Sequence, residues 1–307
     1  MNELRGALIP QIEAYIRHMK FFNADRVAVE FFDAGISSLV CLLTAGDERY
    51  VLKIPVRAAD ARNEAAFLRA WAGIGLAVPK VIETGTKKSH MLMQYVPAKT
   101  LDRAYSEQEL IRNTSFVRMG KMIRCMHAVP AIGYGRPSSG LIGEYRSFES
   151  WLRESRQARG QLTQTRRRGL LSEEVHGSID EAAHILIEHA MAYPHSSYCH
   201  WDFSPNNLLS TDPFTVIDPD PTFCTPYVDL GRSIIKTIGA GFTRVEVVDQ
   251  IVSGYFADDP IGPKQQVLFA ATLLAGYSIM PYLGDRGMAR EATAVREYLA
   301  AQNSAAR

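Results

Sequence analysis

Residues 198–220 read Tyr-Cys-His-Trp-Asp-Phe-Ser-Pro-Asn-Asn-Leu-Leu-Ser-Thr-Asp-Pro-Phe-Thr-Val-Ile-Asp-Pro-Asp. His200, Asp202 and Asn207 stand in an H-x-D-x-x-x-x-N spacing. Leu208 and Leu209 follow, then a turn at Thr211-Asp212-Pro213 and an apolar strand, Phe214 to Ile217, that ends on Asp218. If the turn folds the two short strands together, Asn207 comes near Asp218. An amide oxygen and a carboxylate are the hard donors that Mg2+ takes, usually only one or two from the protein. Asp202 lies upstream, where it can accept or orient the proton of an attacking hydroxyl, a role worth roughly 10²–10⁴-fold. Phosphoryl transfer asks for such positioning and charge neutralisation more than for covalent help. Asp202 is therefore the expected catalytic acid/base. Asn207 and Asp218 are the expected metal ligands, and Asp220 a further metal or substrate carboxylate. The bland alternative is that Asp and Asn merely cap turns here.

A second set lies early in the chain. Lys53 sits within Tyr50-Val51-Leu52-Lys53-Ile54, on the face opposite Tyr50, Leu52 and Ile54. A lysine there either snorkels at an edge or aims at an anion. Glu64 borders the apolar stripe of the following helix and wants a cationic partner, for which Lys53 is the candidate. Two unrelated solvated charges would be the simpler reading. In Asp33-Ala34-Gly35-Ile36-Ser37-Ser38, backbone N–H groups and serine hydroxyls can cover phosphates, with Gly35 and Ser37 as candidates. A plain hairpin loop explains that segment equally well.

These groups need elements to hold them. The pattern predicts a helix from Glu3 to about Lys20, then strands Val27 to Phe32, Leu39 to Leu43 and Arg49 to Ile54 as an antiparallel meander. A helix follows over Ala58 to Ala72, with Ala61, Ala65, Leu68 and Ala72 on one face. Val81-Ile82-Glu83 and Met91-Leu92-Met93 read as a hairpin, completing five strands. Glu107 to His127 reads as one long helix and Gly133 to Gly143 as a loop. Helices are expected over Phe148 to Ala158, Ser172 to Ala192, Tyr227 to Ile238 and three stretches after Val245, around one strand-rich island, Tyr198 to Ile217. The fold class is α+β: a five-stranded antiparallel lobe over 1–95, which would bind nucleotide, and a mainly helical catalytic lobe over 96–307.

Composition sets the outer limits. Apolar residues make up 47% and charged residues 22%, an ordinary globular balance. A net charge of +1 gives no general attraction to nucleic acid or anionic membrane. Charges interrupt the N-terminus, and no run of about 18 apolar residues occurs, so neither a signal peptide nor a membrane span is expected. Cys41, Cys125, Cys199 and Cys224 form no C-x-x-C pair, so they are expected to be reduced core residues of a cytoplasmic protein.

Taken together and in order, the Gly35 loop, Tyr50 to Lys53, Glu64, Met93 to Pro97, Met126 to Pro130, His200 to Leu209, Val216 to Asp218 and Tyr227 to Leu230 resemble the aminoglycoside phosphotransferase family of the protein-kinase-like fold. Gly133-Tyr134-Gly135 and Phe148-Glu149-Ser150-Trp151 look like its antibiotic-kinase branch, with the hygromycin and streptomycin kinases. The resemblance implies a bilobed fold, ATP or GTP as donor, Mg2+, and a small-molecule hydroxyl as acceptor. It implies that backbone groups of Gln94 and Val96 meet the adenine edge. His200 would brace the catalytic loop and Asp229 would fix it from the next helix. His127, a family landmark, would pack at a helix end. Three departures stand out. Trp201 occupies a position usually held by a small residue, Pro219 follows Asp218, and no arginine precedes Asp202. The missing arginine, and the lack of Asp-Phe-Gly and Ala-Pro-Glu, argue against a regulated protein kinase. An aminoglycoside-like antibiotic is the leading acceptor. A sugar, choline-like amine or amino alcohol is the alternative, and a non-catalytic nucleotide-binding protein the third reading. The run Arg166-Arg167-Arg168 is expected on a solvated face; lining the pocket, it would oppose a polycation.

Overall fold

The computed structural model describes residues 12, 16, 27–32, 38–55, 60–85, 90–138, 140–156, 158–259, 262 and 264–305. Gly35 and Ser37 lie outside these, as does most of the expected helix Glu3 to Lys20, of which Ile12 and Ile16 are helical and buried. By internal contact the chain forms two units, Met1–Ala65 with Pro79–Pro97 and Ala66–Val78 with Ala98–Arg307.

The first unit is built on strands β1 (Val27–Phe31), β2 (Ser38–Ala45), β3 (Glu48–Pro55), β4 (Val81–Thr84) and β5 (Met91–Gln94). They pair antiparallel in the order β1-β2-β3-β5-β4, as expected for the meander and hairpin. Alternation along the strands sends Val27, Val29, Cys41, Leu43, Tyr50, Leu52 and Leu92 into one core with Ile12 and Ile16. A fully buried leucine such as Leu52 contributes about 1.5–3 kcal/mol relative to exposure. The same alternation puts Lys53 on the other face.

Helix α1 (Asp60–Gly73) follows β3. Its buried stripe is Ala61, Glu64, Ala65, Phe67, Leu68 and Trp71, whereas Ala72, expected on that stripe, is exposed. The aromatic pair Phe67 and Trp71 draws the helix face toward itself because large rings bury far more area than alanine.

The second unit carries α2 (Leu101–Ala104), α3 (Glu107–Arg112), α4 (Ser115–His127), α5 (Phe148–Glu154), α6 (Ala158–Arg167), α7 (Glu173–Ala192), α8 (Pro226–Gly239), α9 (Val245–Phe256), α10 (Gln265–Asp285) and α11 (Ala289–Ala305). Three expectations need correction. The single helix over Glu107 to His127 is broken at Thr114, whose φ of 52° is left-handed. Ser106 and Glu109 form a capping box for α3, and Asn113-Thr114 are residues that favour turns over helix interiors. The loop Gly133 to Gly143 contains one strand and the first residue of a second. They belong to a second five-stranded antiparallel sheet of β6 (Pro130–Ala131), β7 (Tyr134–Pro137), β8 (Gly143–Tyr145), β9 (Ser196–Cys199) and β12 (Thr222–Cys224), ordered β6-β9-β12-β7-β8. Its strands are only two to four residues long, and β6, β7 and β8 carry Gly or Pro, which hides them from pattern reading. Cys125 is exposed, on the face of α4 opposite Phe116, Met119 and Ile123; the other three cysteines are buried, and all four are free thiols.

Glycine sets the helix packing at two crossings. A Cβ on Gly231 would lie 2.6 Å from the Ala271 carbonyl carbon, so α8 and α10 touch backbone to backbone. Gly120 and Gly254 do the same for α4 and α9. Helix α10 is long and apolar enough to cross a membrane by composition, yet 83% of its apolar window is buried within the protein, as in a core helix. Its residues Leu273, Leu274 and Tyr277 join Trp151, Trp201, Val228 and Ile235 in the second unit's core.

Candidate functional site

In the first unit the two expected charges meet. Lys53 Nζ lies 2.8 Å from Glu64 Oε1 and 2.7 Å from Oε2, with side chains only 9% and 4% exposed. Strand alternation turns Lys53 away from Leu52, and Glu64 takes up its charge from α1. A buried charge needs such a partner, because desolvation would otherwise remove it. Gln94 ends β5, and its N–H donates to the Lys80 carbonyl at 2.9 Å. A groove of about 680 Å³ runs past Gln94, Arg49 and Lys80 but includes neither Lys53 nor Glu64.

In the second unit the short strands β10 (Leu208–Leu209) and β11 (Thr215–Val216) pair antiparallel, with Leu208 opposite Val216. Ile217 N–H donates to the Asn207 carbonyl at 3.0 Å, so Asn207 stands one residue from Asp218 across the ladder. The Asn207 amide group donates to the Asp202 carbonyl at 2.6 Å and to its Oδ2 at 3.2 Å. With its N–H bonds given to Asp202, Asn207 has its amide oxygen left as a donor atom for a cation. Asp218 is held at a left-handed φ of 56°, which Asp tolerates better than most residues. One amide oxygen and one carboxylate, both hard donors, fit Mg2+.

His200 shows how the loop is fixed. It is fully buried, with its ring stacked on Trp71 at 5.8 Å and 5°. Burial lowers its pKa and outweighs the carboxylates of Asp202 and Asp229, which pull the other way. The ring is therefore neutral. Nε2 lies 3.0 Å from the Ile217 carbonyl and must carry the hydrogen, while Nδ1 accepts from the Asp202 N–H at 3.3 Å. One imidazole thus ties the backbone of Asp202 to the strand end that delivers Asp218.

Asp229, in the first turn of α8, is fully buried. Its Oδ2 accepts from the His200 N–H at 3.1 Å and its Oδ1 from the Trp201 N–H at 2.9 Å. His127 Nε2 reaches Oδ2 at 3.0 Å, and its Nδ1 lies 2.9 Å from the Tyr255 hydroxyl. His127 is thus part of this network as well as packed at its helix end. His127, Cys199 and Asp229 bring ligand-type atoms within 4.8 Å of one another. Their lone pairs and protons are already engaged, and burial holds the Cys199 thiol well above its usual range, so they form a hydrogen-bond network.

Trp201 takes a left-handed φ of 64°, a strain of about 1–3 kcal/mol for a bulky residue. Asp229 grips its N–H, and Arg232 Nε donates to its carbonyl at 2.5 Å while lying 4.6 Å over the indole. Desolvation lowers the Arg232 pKa, and Asp202, Asp220 and Asp229 counter that shift.

Two ion pairs at this site had no sequence motif. Lys236 Nζ pairs with Asp202 Oδ1, and Arg136 Nη2 with Asp220 Oδ1 at 2.8 Å. Asp220 N–H also donates to the His200 carbonyl at 2.9 Å. The spacing Asp229, Arg232, Lys236 is i, i+3, i+7 on one helix and was the available signal. In the Arg166–Arg168 run, Arg166 pairs with Asp180 at 3.2 Å and Arg168 with Asp285 at 2.7 Å, both on the exposed surface.

The phosphotransferase enzyme family's sequence model matches residues 28–264. The aminoglycoside phosphotransferase APH(4)-Ia is similar in structure, with a TM-score of 0.68 and 17% identity over 96% of this chain and 98% of that one. A thermostable variant of it has been solved with AMP-PNP and hygromycin B. A choline/ethanolamine kinase family protein from Mesorhizobium loti is 19% identical, with a TM-score of 0.61 over 96% of this chain and 94% of that one. A candidate fructosamine-3-kinase from Thermobifida fusca is 16% identical, with a TM-score of 0.60 over 92% of this chain and 98% of that one. At these identities the likeness is one of fold. A search of curated protein sequences found no match.

Proposed function

This chain belongs to the phosphotransferase enzyme family, and from that premise we propose that it transfers the γ-phosphate of ATP or GTP to a hydroxyl of a small molecule. The observation that carries this is the loop itself: Asp202, Asn207 and the segment ending in Asp218 are bound together by Asn207 and His200. Asp202 accepts the hydrogen bond of the acceptor O–H. The acceptor oxygen forms the new bond to the γ-phosphorus, the bond to the bridging oxygen breaks, and its electron pair leaves with the nucleoside diphosphate. The proton passes to Asp202 and then to solvent. Asn207 Oδ1 and the Asp218 carboxylate would hold Mg2+, which when bound neutralises phosphate charge. Asp220 keeps one oxygen for the metal or the acceptor. Lys53, held by Glu64, serves the phosphates of the donor, and Gln94 and Val96 the adenine edge. Gly35 and Ser37 would cover the phosphates.

An aminoglycoside-like antibiotic is the first acceptor we propose, in line with the hygromycin B complex of the APH(4)-Ia variant. One observation favours the second, a sugar, choline-like amine or amino alcohol, none of them a polycation. Asp202 and Asp220 are already paired with Lys236 and Arg136, which leaves less free anionic surface for a polycation. The deciding experiment incubates the protein with MgATP or MgGTP and panels of aminoglycosides, sugars, choline-like amines and amino alcohols. Nucleoside diphosphate release and acceptor mass are then followed. A phosphorylated acceptor is the expected result, and resistance conferred on a sensitive bacterium would select the antibiotic. Nucleotide binding without transfer to any acceptor would instead make this a non-catalytic binding protein.

A further inference from the structure

Three side chains on one face of α8 hold three consecutive residues of the Asp202 loop. Asp229 accepts the N–H groups of His200 and Trp201, and Arg232 donates to the Trp201 carbonyl. Lys236 pairs with the carboxylate of Asp202. The helical repeat brings positions 229, 232 and 236 onto one face, so the grip moves along the loop as the helix climbs. The first two contacts act on backbone and set where the loop runs. The third acts on the side chain that faces the reaction. Asn207 holds Oδ2 of that carboxylate at 3.2 Å and Lys236 takes Oδ1, so both oxygens have a fixed neighbour. The Lys236 side chain is 19% exposed, and its ammonium lies 5.4 Å over the Tyr282 ring, which narrows its own freedom.

We propose that Lys236 is a positioning residue for phosphate transfer: through its ion pair with Asp202 it fixes the carboxylate rotamer that receives the acceptor proton. The inference rests on the transfer reading above. It explains why a lysine, rather than another apolar residue, stands on the face of α8 turned to the loop. A misplaced reacting group can cost about 10²-fold in rate even when binding is intact.

The test measures kcat and KM for MgATP and for the best acceptor from the panel, with thermal melts, in the wild type, Lys236→Met, Lys236→Arg, Asp202→Asn and the Asp202→Asn/Lys236→Met double variant. Lys236→Met is expected to lower kcat about 10- to 100-fold with both KM values and the melting temperature close to wild type. Lys236→Arg, which keeps the charge, should recover part of that loss. In the Asp202→Asn background Lys236→Met should cost nothing further, since there is no carboxylate left to hold. A wild type that transfers phosphate while Lys236→Met keeps full kcat, or raises only the KM for MgATP, overturns the positioning role and leaves the transfer reading standing. A wild type that transfers phosphate to nothing in the panel removes the transfer reading, and this inference with it.

Discussion

Lys53 is gripped by one carboxylate, Glu64, through both of its oxygens, whereas Asp202 is gripped by a helix, a histidine and an asparagine at once. In the first unit the charge itself is buried, and the pair stands or falls together. In the second unit most of the load is on backbone groups: His200 N–H, Trp201 N–H, Trp201 C=O and Asp202 N–H each have a partner. A buried ion pair concentrates cost in one contact. A distributed network spreads it over several hydrogen bonds worth about 0.5–1.5 kcal/mol each. Perturbing the two regions should therefore damage the protein in different ways.

Lys53→Met is the largest expected effect. It leaves Glu64 buried without the ammonium its two oxygens share and should cost about 3–5 kcal/mol in denaturant unfolding. The double variant Lys53→Met/Glu64→Met should regain most of that stability and none of the transfer activity. If both variants are equally unstable, the account of a mutually compensating pair fails. Asp229→Asn comes next. An amide has one acceptor oxygen for two buried backbone N–H groups, so a loss of about 1–3 kcal/mol is expected, with a drop in turnover. Wild-type stability with wild-type turnover would show that the loop does not depend on α8.

His200 gives a pH test. Its pKa is lowered in the fold from 6.5, so below 6.5 the unfolded chain binds the proton first. Stability present above pH 6.5 should therefore be lost as pH falls toward the folded value. Melts of wild type and His200→Asn between pH 8 and pH 5.5 should converge at the acid end; parallel curves would contradict a buried neutral ring. Arg166→Gln sits at the bottom of the scale. Its bridge to Asp180 is exposed, and its loss should change stability by less than about 1 kcal/mol.

How much of this was legible in the sequence follows the same division. The first sheet was readable because its strands are short apolar runs bounded by turn residues. The Lys53–Glu64 pair followed from two charges beside apolar stripes. The loop motif was readable because His200, Asp202, Asn207 and Asp218 are close in sequence. The second sheet was not, since β6 and β12 are short and its partners are up to dozens of residues apart. The broken helix at Thr114 was missed because amphipathic helical stretches flank it on both sides, although the polar run Arg112-Asn113-Thr114-Ser115 marked the break. Lys236 and Arg136 were missed because their partners are remote in sequence, and only the helical spacing from Asp229 carried a hint of Lys236. Long-range pairing of exposed-looking charges leaves no local pattern to read.

The central claim is that Asp202 receives the acceptor's proton while other groups bind the donor. It is tested most directly by measuring MgATP affinity and phosphate transfer side by side in wild type and Asp202→Asn. Unchanged nucleotide affinity with transfer reduced about 10²–10⁴-fold is the predicted result. Full transfer by Asp202→Asn would contradict it.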